Sequence, residues 1–209
     1  MQAPLRNTAR SVHLQHFPAT APVRVIAGKY RSRRLSSIRG VDLRPTSDRL
    51  RETLFNVLTA GNPDALQSSS WLDLYAGTGA VGIEALSRGA AKVIFVEQSR
   101  AAAELIRRNL SALEIKEGFR LLTVSSATAV ERGKGTFNYV FLDPPYRMQD
   151  EYKAILKLLG RSQLVDSATL IIAEHSSKFD PGSEHGNLQR YRKLELGDAA
   201  LSFYCLKVA

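Results

Sequence analysis

Cysteine is nearly absent from this chain of 209 residues: Cys205 stands alone. One cysteine cannot form an intrachain disulfide or a cysteine-based zinc cluster, which points to a reducing compartment, the cytoplasm. Long apolar runs are missing too, and none approaches the ~18 residues of a membrane helix. No segment has the apolar core of a secretory signal. His13, His16, His175 and His185 are the only histidines, and they show no ligand spacing, so no metal site is expected. His175, which follows Glu174 at the end of an apolar stretch, reads as a structural, hydrogen-bonded histidine. Acidic residues are absent before Asp42, whereas Arg6, Arg10, Arg24, Lys29, Arg31, Arg33, Arg34 and Arg39 all precede it.

That asymmetry gives the charge its meaning. Lys and Arg number 29 against 20 acids, a formal net charge of +9. A basic end of this kind suits a polyanionic partner, the alternative being a solvated basic surface. Lys29, Arg31, Arg33 and Arg34 form the densest cluster and are the candidate clamp on a nucleic-acid backbone. Arg44, Arg49 and Arg51 are candidates for the mouth of a site, where they would meet a phosphate or a ligand carboxylate; a solvated helix face is the plain alternative.

Residues 1–21 lack periodicity and read as a flexible leader, although an Arg-rich, acid-free start also resembles an organelle transit peptide. Residues 22–66 read as an extension. A short strand at 23–28 and its return near 33–35 make a hairpin. A helix then starts at Thr46 or Ser47, carries Leu50, Leu54, Val57 and Leu58 on one face, and stops at Gly61-Asn62-Pro63. Residues 67–209 form the main domain, entered through a linker at 67–70. Strands are predicted at 71–75, 92–97, 119–124, 139–143 and 169–174, with helices at 81–88, 100–113, 127–132 and 151–159. Such alternation implies a parallel sheet covered on both faces. The end departs from it: 190–196 and 200–206 alternate around Gly197-Asp198-Ala199 and read as an antiparallel hairpin. Trp71 and Phe141 are expected in the core.

Two motifs carry chemistry. Gly77, Gly79 and Gly82 give G-x-G-x-x-G where the first strand should hand over to the first helix. Glycines let a ligand touch the backbone and leave amides free at a helix start. Glu97 ends the next strand, placed to accept from both ribose hydroxyls of an adenosine. Asp73 precedes the loop, where a carboxylate can meet a ligand's ammonium group. A nicotinamide cofactor would use the same glycines and the same acid, but the chain is short for a dinucleotide fold plus a substrate domain.

The second motif is Asp143-Pro144-Pro145-Tyr146, after the predicted fourth strand. Consecutive prolines lack amide donors, so the carbonyls there remain acceptors. Asp143 adds an acceptor and Tyr146 a flat face. Acceptors that grip both N–H bonds of an exocyclic base amine expose its lone pair and stabilise positive charge developing on nitrogen. A base must leave its stack to enter such a pocket. The plain alternative is a proline turn with Tyr146 as core.

With these motifs, Arg24-Val25-Ile26-Ala27-Gly28 and Arg44-Pro45-Thr46-Ser47-Asp48-Arg49-Leu50-Arg51-Glu52-Thr53-Leu54-Phe55-Asn56 make the sequence resemble the RsmD family of 16S rRNA guanine-N2 methyltransferases, from about Val23 to the C-terminus. The resemblance implies an α/β fold: a Rossmann-like, seven-stranded S-adenosylmethionine-dependent methyltransferase with a small N-terminal hairpin and helix extension. It implies that Asp73, Tyr75, Gly77, Thr78, Gly79, Glu97, Gln98, Ser126 and Ala127 hold S-adenosylmethionine, and that Asp143 to Tyr146 hold the target guanine. The implied partner is small-subunit rRNA or an assembly intermediate, met by a monomer away from any membrane. One departure stands out: Ser125-Ser126-Ala127 occupies the region where many relatives of this fold carry an Asp for the adenine amino group. Competing readings are a DNA adenine-N6 methyltransferase, a protein-glutamine methyltransferase, which would favour Asn in place of Asp143, and a non-catalytic ribosome-assembly factor.

Overall fold

A computed structural model describes residues 23–37 and 47–207. The leader, Arg39, Arg44, His13 and His16 lie outside the described residues, as do the expectations attached to them.

The described elements run α1 (Asp48–Thr59), β1 (Ser70–Asp73), α2 (Ala80–Ser87), β2 (Lys92–Val96), α3 (Arg100–Ala112), β3 (Phe119–Leu122), α4 (Ser126–Arg132), β4 (Tyr139–Leu142), α5 (Gln149–Leu159), β5 (Leu170–Ser176), β6 (Glu184–His185), β7 (Leu188–Leu196) and β8 (Ala199–Leu206). They build one eight-stranded sheet in the order β3-β2-β1-β4-β5-β8-β7-β6. The first five strands pair in parallel, and β8 joins β5 antiparallel. The closing hairpin is therefore as expected, but the strand count rises from seven to eight. The addition is the two-residue β6, which pairs with the edge of β7. The predicted fifth strand also extends to Ser176, because antiparallel pairing with β8 carries it to Ala199. Thr169 stays outside the strand, its hydroxyl donating to the Phe137 carbonyl.

Side-chain alternation splits the core in two. Trp71, Phe95, Phe141 and Ile172 face a layer made by α1, α2 and α3. Leu72, Val96, Leu142 and Ala173 face α4 and α5. Local sequence explains the helix starts. Ser47 caps α1 through the Leu50 amide, Ser99 caps α3 through Ala102, and Ser125 caps α4 through Thr128. The start of α2 differs: Gly79 is its N-cap, with φ at +80°, a backbone shape that glycine adopts without strain.

The N-terminal segment shares the first core rather than forming a body of its own. Val23, Val25 and Leu35 are buried with Leu54, Phe55 and Trp71. The expected hairpin is shorter than two strands: a single bridge joins Arg24 and Arg34, flanked by backbone bonds from Val25 to Arg33 and from Leu35 to Val23. What holds it is α2. Fully buried Glu84 accepts from the amides of Ile26 at 2.7 Å and Ala27 at 2.9 Å, and from Arg88 Nε at 2.7 Å. Gly28 then passes so close to Ser87 that a Cβ there would lie 1.9 Å from the Ser87 carbonyl oxygen. Replacing Glu84 with Ala leaves two amides and a guanidinium without their shared acceptor. Urea unfolding is expected to show a loss of roughly 3 kcal/mol or more, with faster hydrogen exchange at Ile26 and Ala27; unchanged exchange there would remove Glu84 as the anchor.

Candidate active site

Four acids gather at the carboxyl ends of the parallel strands. Asp73 ends β1, and Glu97 and Asp143 each follow the last residue of β2 and β4. Glu174 is the fourth, level with Asp143 because Leu142 pairs with Ala173, whereas Asp73 pairs with Phe95 and Phe141 and lies two residues behind. The period of two puts all four on the face covered by α1, α2 and α3. This is the carboxyl edge of the parallel strands, where open α/β sheets bind ligands.

Asp73 is buried and accepts from the Gly82 amide at 3.2 Å through Oδ2, while Oδ1 is buried without a partner. Burial is the main cause that raises its pKa to about 7, with the nearby charge of Glu97 adding to it and the Gly82 amide opposing. Glu97 accepts from the Gly77 amide at 3.0 Å and the Ser99 amide at 2.7 Å, one on each oxygen. Each oxygen keeps lone-pair capacity for a further donor. Gly77 and Gly79 both take positive φ, +54° and +80°, and at Gly82 a Cβ would meet the Phe95 ring at 2.3 Å. The three glycines thus serve the turn, the helix start and helix-to-sheet packing in order. Thr78 is buried, and its carbonyl accepts from Asn109, which also holds both backbone groups of Ser36. Gln98 is exposed beside Glu97.

Ser126 is buried, and its hydroxyl donates to the Leu74 carbonyl at 2.5 Å. Its proton is committed to the loop backbone, so only an acceptor lone pair faces other needs. Ala127 is half-buried beside it.

On the other side of the cleft, Pro144 is buried, Asp143 and Tyr146 are half-buried, and Pro145 is exposed. Burial and the neighbouring Glu174 and Asp73 push the Asp143 carboxyl well above the usual carboxylate range. Fully buried Tyr152 shares its hydroxyl between two carbonyls, Glu174 at 2.8 Å and Pro144 at 3.2 Å. It fixes the proline turn to β5 at Glu174. Tyr75, half-buried after β1, donates to Glu151 at 2.7 Å and so ties the glycine loop to α5.

The structure therefore brings Asp73, Gly77, Gly79, Glu97 and Asp143 to one sheet edge. It leaves Lys29, Arg31, Arg33, Arg34 and Arg49 exposed, with Arg33 also donating to the Ala112 carbonyl at 2.7 Å. Arg51 needs correction: it neither lines an open mouth nor sits on a solvated face. It is fully buried, because the 50–51–54–55 side of α1 packs inward and Asp48 and the Arg24 carbonyl receive its Nη2. His175 is structural, bonded through its ring nitrogens to Ser176 and Ser202. Glu174, Tyr152 and Glu151 were not anticipated. Glu174 had a signal, since it closes an apolar run in the sequence as Asp73 does; the tyrosine had none. Among the described residues no group of His, Cys, Asp and Glu is arranged to hold a metal, and no helix is long and apolar enough to cross a membrane.

Comparison with known proteins agrees with this geometry. The chain is 37% identical over 183 residues to ribosomal RNA small subunit methyltransferase D of Escherichia coli K12, covering 87% of this chain and 89% of that protein. It is 36% identical over 163 residues to the protein of the same name in Haemophilus influenzae, covering 77% and 82% respectively. The solved structure of Escherichia coli yhhF, which bears the name of a methyltransferase, superposes with a TM-score of 0.76 at 29% identity, over 90% of this chain and 100% of that one. The fold is thus the Rossmann-like methyltransferase fold. The family described as Conserved hypothetical protein 95 matches residues 23–205, and the chain belongs to it, the RsmD family that its residues resemble.

Proposed function

We propose that this chain transfers a methyl group from S-adenosylmethionine to the exocyclic N2 amine of a guanine in small-subunit ribosomal RNA. The observation that carries the reading is the shared edge: Asp143 stands with Asp73 and Glu97 at the carboxyl ends of β4, β1 and β2, on one face of one sheet, and Pro144 follows directly. The likeness to small-subunit rRNA methyltransferases supports the same substrate class.

The cradle fits the cofactor. Asp73 Oδ1, an acceptor without a donor, suits the ammonium of the methionyl group. Glu97 suits the ribose hydroxyls, and the glycine loop admits the adenosine to its backbone. Gln98, Thr78, Ser126 and Ala127 border it. When bound, S-adenosylmethionine supplies an electrophilic methyl group on a sulfonium. The protein supplies alignment and electrostatics. In this reading Tyr146 stacks on the flipped purine, while Asp143 and the Pro144 carbonyl accept from the N2 amine. Tyr152 keeps that carbonyl in place. Asp143 stabilises the positive charge that develops on nitrogen, and the proton then leaves through Asp143 or water. The high proton affinity of Asp143 suits a group that receives it. Lys29, Arg31, Arg33, Arg34 and Arg49 grip the RNA backbone, so residues 22–66 hold RNA and residues 67–209 hold the chemistry. Acting on ribosomal RNA, the chain works in the cytoplasm as a monomer.

Three outcomes are expected. Asp143→Ala lowers methyl transfer to small subunits by roughly 10²–10³-fold or more, with calorimetric affinity for S-adenosylhomocysteine retained; near-normal turnover removes Asp143 from the mechanism. Methyl incorporation measured in parallel on small subunits, free rRNA and DNA appears on the ribosomal substrates, whereas incorporation into DNA favours the adenine-N6 alternative. Arg33→Ala with Arg34→Ala flattens the salt dependence of RNA binding by roughly 1–2 units of log–log slope, and an unaltered slope rejects the clamp.

A fourth follows from Asp73, whose pKa lies near 7 in the protein alone. An ammonium ligand selects the ionised carboxylate. Below pH 7 binding must expel a proton, so affinity for S-adenosylhomocysteine falls by about tenfold per pH unit. Above pH 7 this dependence fades. Calorimetry in buffers of different ionisation enthalpy reads the released proton, and Asp73→Asn abolishes it. A pH-independent affinity between 5 and 7 contradicts the pairing.

A further inference from the structure

Asp143 has a neighbour of its own kind. β4 and β5 pair in parallel, and Leu142 lies opposite Ala173. The next residues along, Asp143 and Glu174, therefore start from backbone positions about 4.8 Å apart. Phe141 and Ile172 both enter the first core, and the period of two sends Asp143 and Glu174 to that same face. Glu174 is buried, with 4% exposure, and Asp143 is half-buried. A second link runs through α5. The Tyr152 hydroxyl is shared between the carbonyls of Pro144, at 3.2 Å, and Glu174, at 2.8 Å, so the backbones that bear the two acids are fastened together. The reaction assigned above uses Asp143 and leaves the Glu174 carboxyl without a task.

Two carboxyls this close do not ionise independently. Their surroundings make the pair unequal. Glu174 lies in the field of the buried Arg51 guanidinium on α1, a cation that favours the ionised form of an acid. At Asp143, burial, then the charge of Glu174, then that of Asp73 on β1, all favour a bound proton. Glu97 on β2 acts one strand further away, on Asp73. The other groups within reach are phenols, those of Tyr75, Tyr146 and Tyr152. Glu174 is thus the member that keeps its charge, and Asp143 the member that takes a proton.

We propose that Glu174 is a positioning residue for the transfer step: its carboxylate, side by side with the carboxyl of Asp143, directs the proton that leaves the guanine amine onto Asp143. The inference rests on the reaction assigned above and adds to it a residue outside both sequence motifs. Once methylated, the amine nitrogen is positive. One of its N–H bonds breaks, the electron pair stays on nitrogen, and the proton bonds to a carboxylate oxygen of Asp143. Asp143 becomes neutral and later releases the proton to water. Glu174 keeps its charge throughout and acts through Asp143 alone, as a fixed charge that makes its neighbour the stronger base.

Glu174→Gln keeps the shape and removes the charge. Methyl transfer to small subunits is followed in single turnovers at saturating S-adenosylmethionine, so that the ionisation of Asp73 does not enter the profile. Asp143 acts in its ionised form, and the rate therefore falls on the acid side. Without the neighbouring charge Asp143 gives up its proton more easily, so the acid limb is expected to move down by about one pH unit, with affinity for S-adenosylhomocysteine retained. Slower turnover with an unmoved limb overturns the proposal, because a merely structural glutamate behaves in that way. Should the variant fail to fold, the backbone-assigned carboxyl 13C resonances of wild-type protein decide. Glu174 is expected to ionise at lower pH than Asp143, and the reverse order overturns the proposal. If wild-type protein transfers no methyl group to small subunits, the assigned reaction itself fails, and this inference fails with it.

Discussion

Placing carboxylates side by side out of water is expensive, because each desolvated anion raises the cost of ionising the next. This chain does so at Asp73, Asp143 and Glu174, and the surrounding architecture follows from that choice. Parallel pairing of β4 and β5 sets Asp143 level with Glu174, and pairing of β1 with β4 puts Asp73 two residues behind them on the same face. The result is a strip of negative charge that attracts cations, and at Asp73 and Asp143 burial makes the carboxyls take up protons more readily than usual. A sulfonium reagent and an amine that becomes positive as it reacts are two kinds of partner such a strip stabilises.

The same strip explains why the N-terminal extension is folded into the body. A chain that only needed to reach RNA could leave its basic segment loosely tethered. Here Val23, Val25 and Leu35 enter the main core, Glu84 receives two of the segment's amides, and Asn109 clasps Ser36. Rigid attachment fixes the exposed cluster from Lys29 to Arg34 at a set distance from the carboxyl edge. The basic cluster and the acidic edge thus belong to one rigid frame.

Much of this was legible in the residues. Apolar runs broken by glycine or serine located the strands and helix starts, since the forces involved are local: side-chain caps, periodic burial and positive φ. The glycine loop, Glu97 and Asp143 declared themselves because each closes an apolar strand. What escaped depended on contacts far apart in sequence. Arg51 read as a candidate for the mouth of a site, or else a solvated helix face, because one arginine among several in a charged helix has no pattern of its own; its burial comes with the inward side of α1 and the Arg24 carbonyl, 27 positions earlier. Tyr152 carried no signal in the sequence, and only the approach of two carbonyls gives its hydroxyl a task. The two-residue β6 is too short for any periodicity to reveal. Ser126 was marked by its neighbours in sequence, yet its hydroxyl is directed to the Leu74 backbone by the fold.

The hydrogen bond from Tyr75 to Glu151 couples two regions that the sequence keeps 76 positions apart. One end follows the strand that feeds the glycine loop, and the other opens the helix that trails the paired prolines. Whatever stiffens one loop therefore lowers the entropic cost of stiffening the other, and the advantage is reciprocal. Such a strut gives the two loops a common rigidity: a ligand that settles either one leaves less motion to be lost at the other.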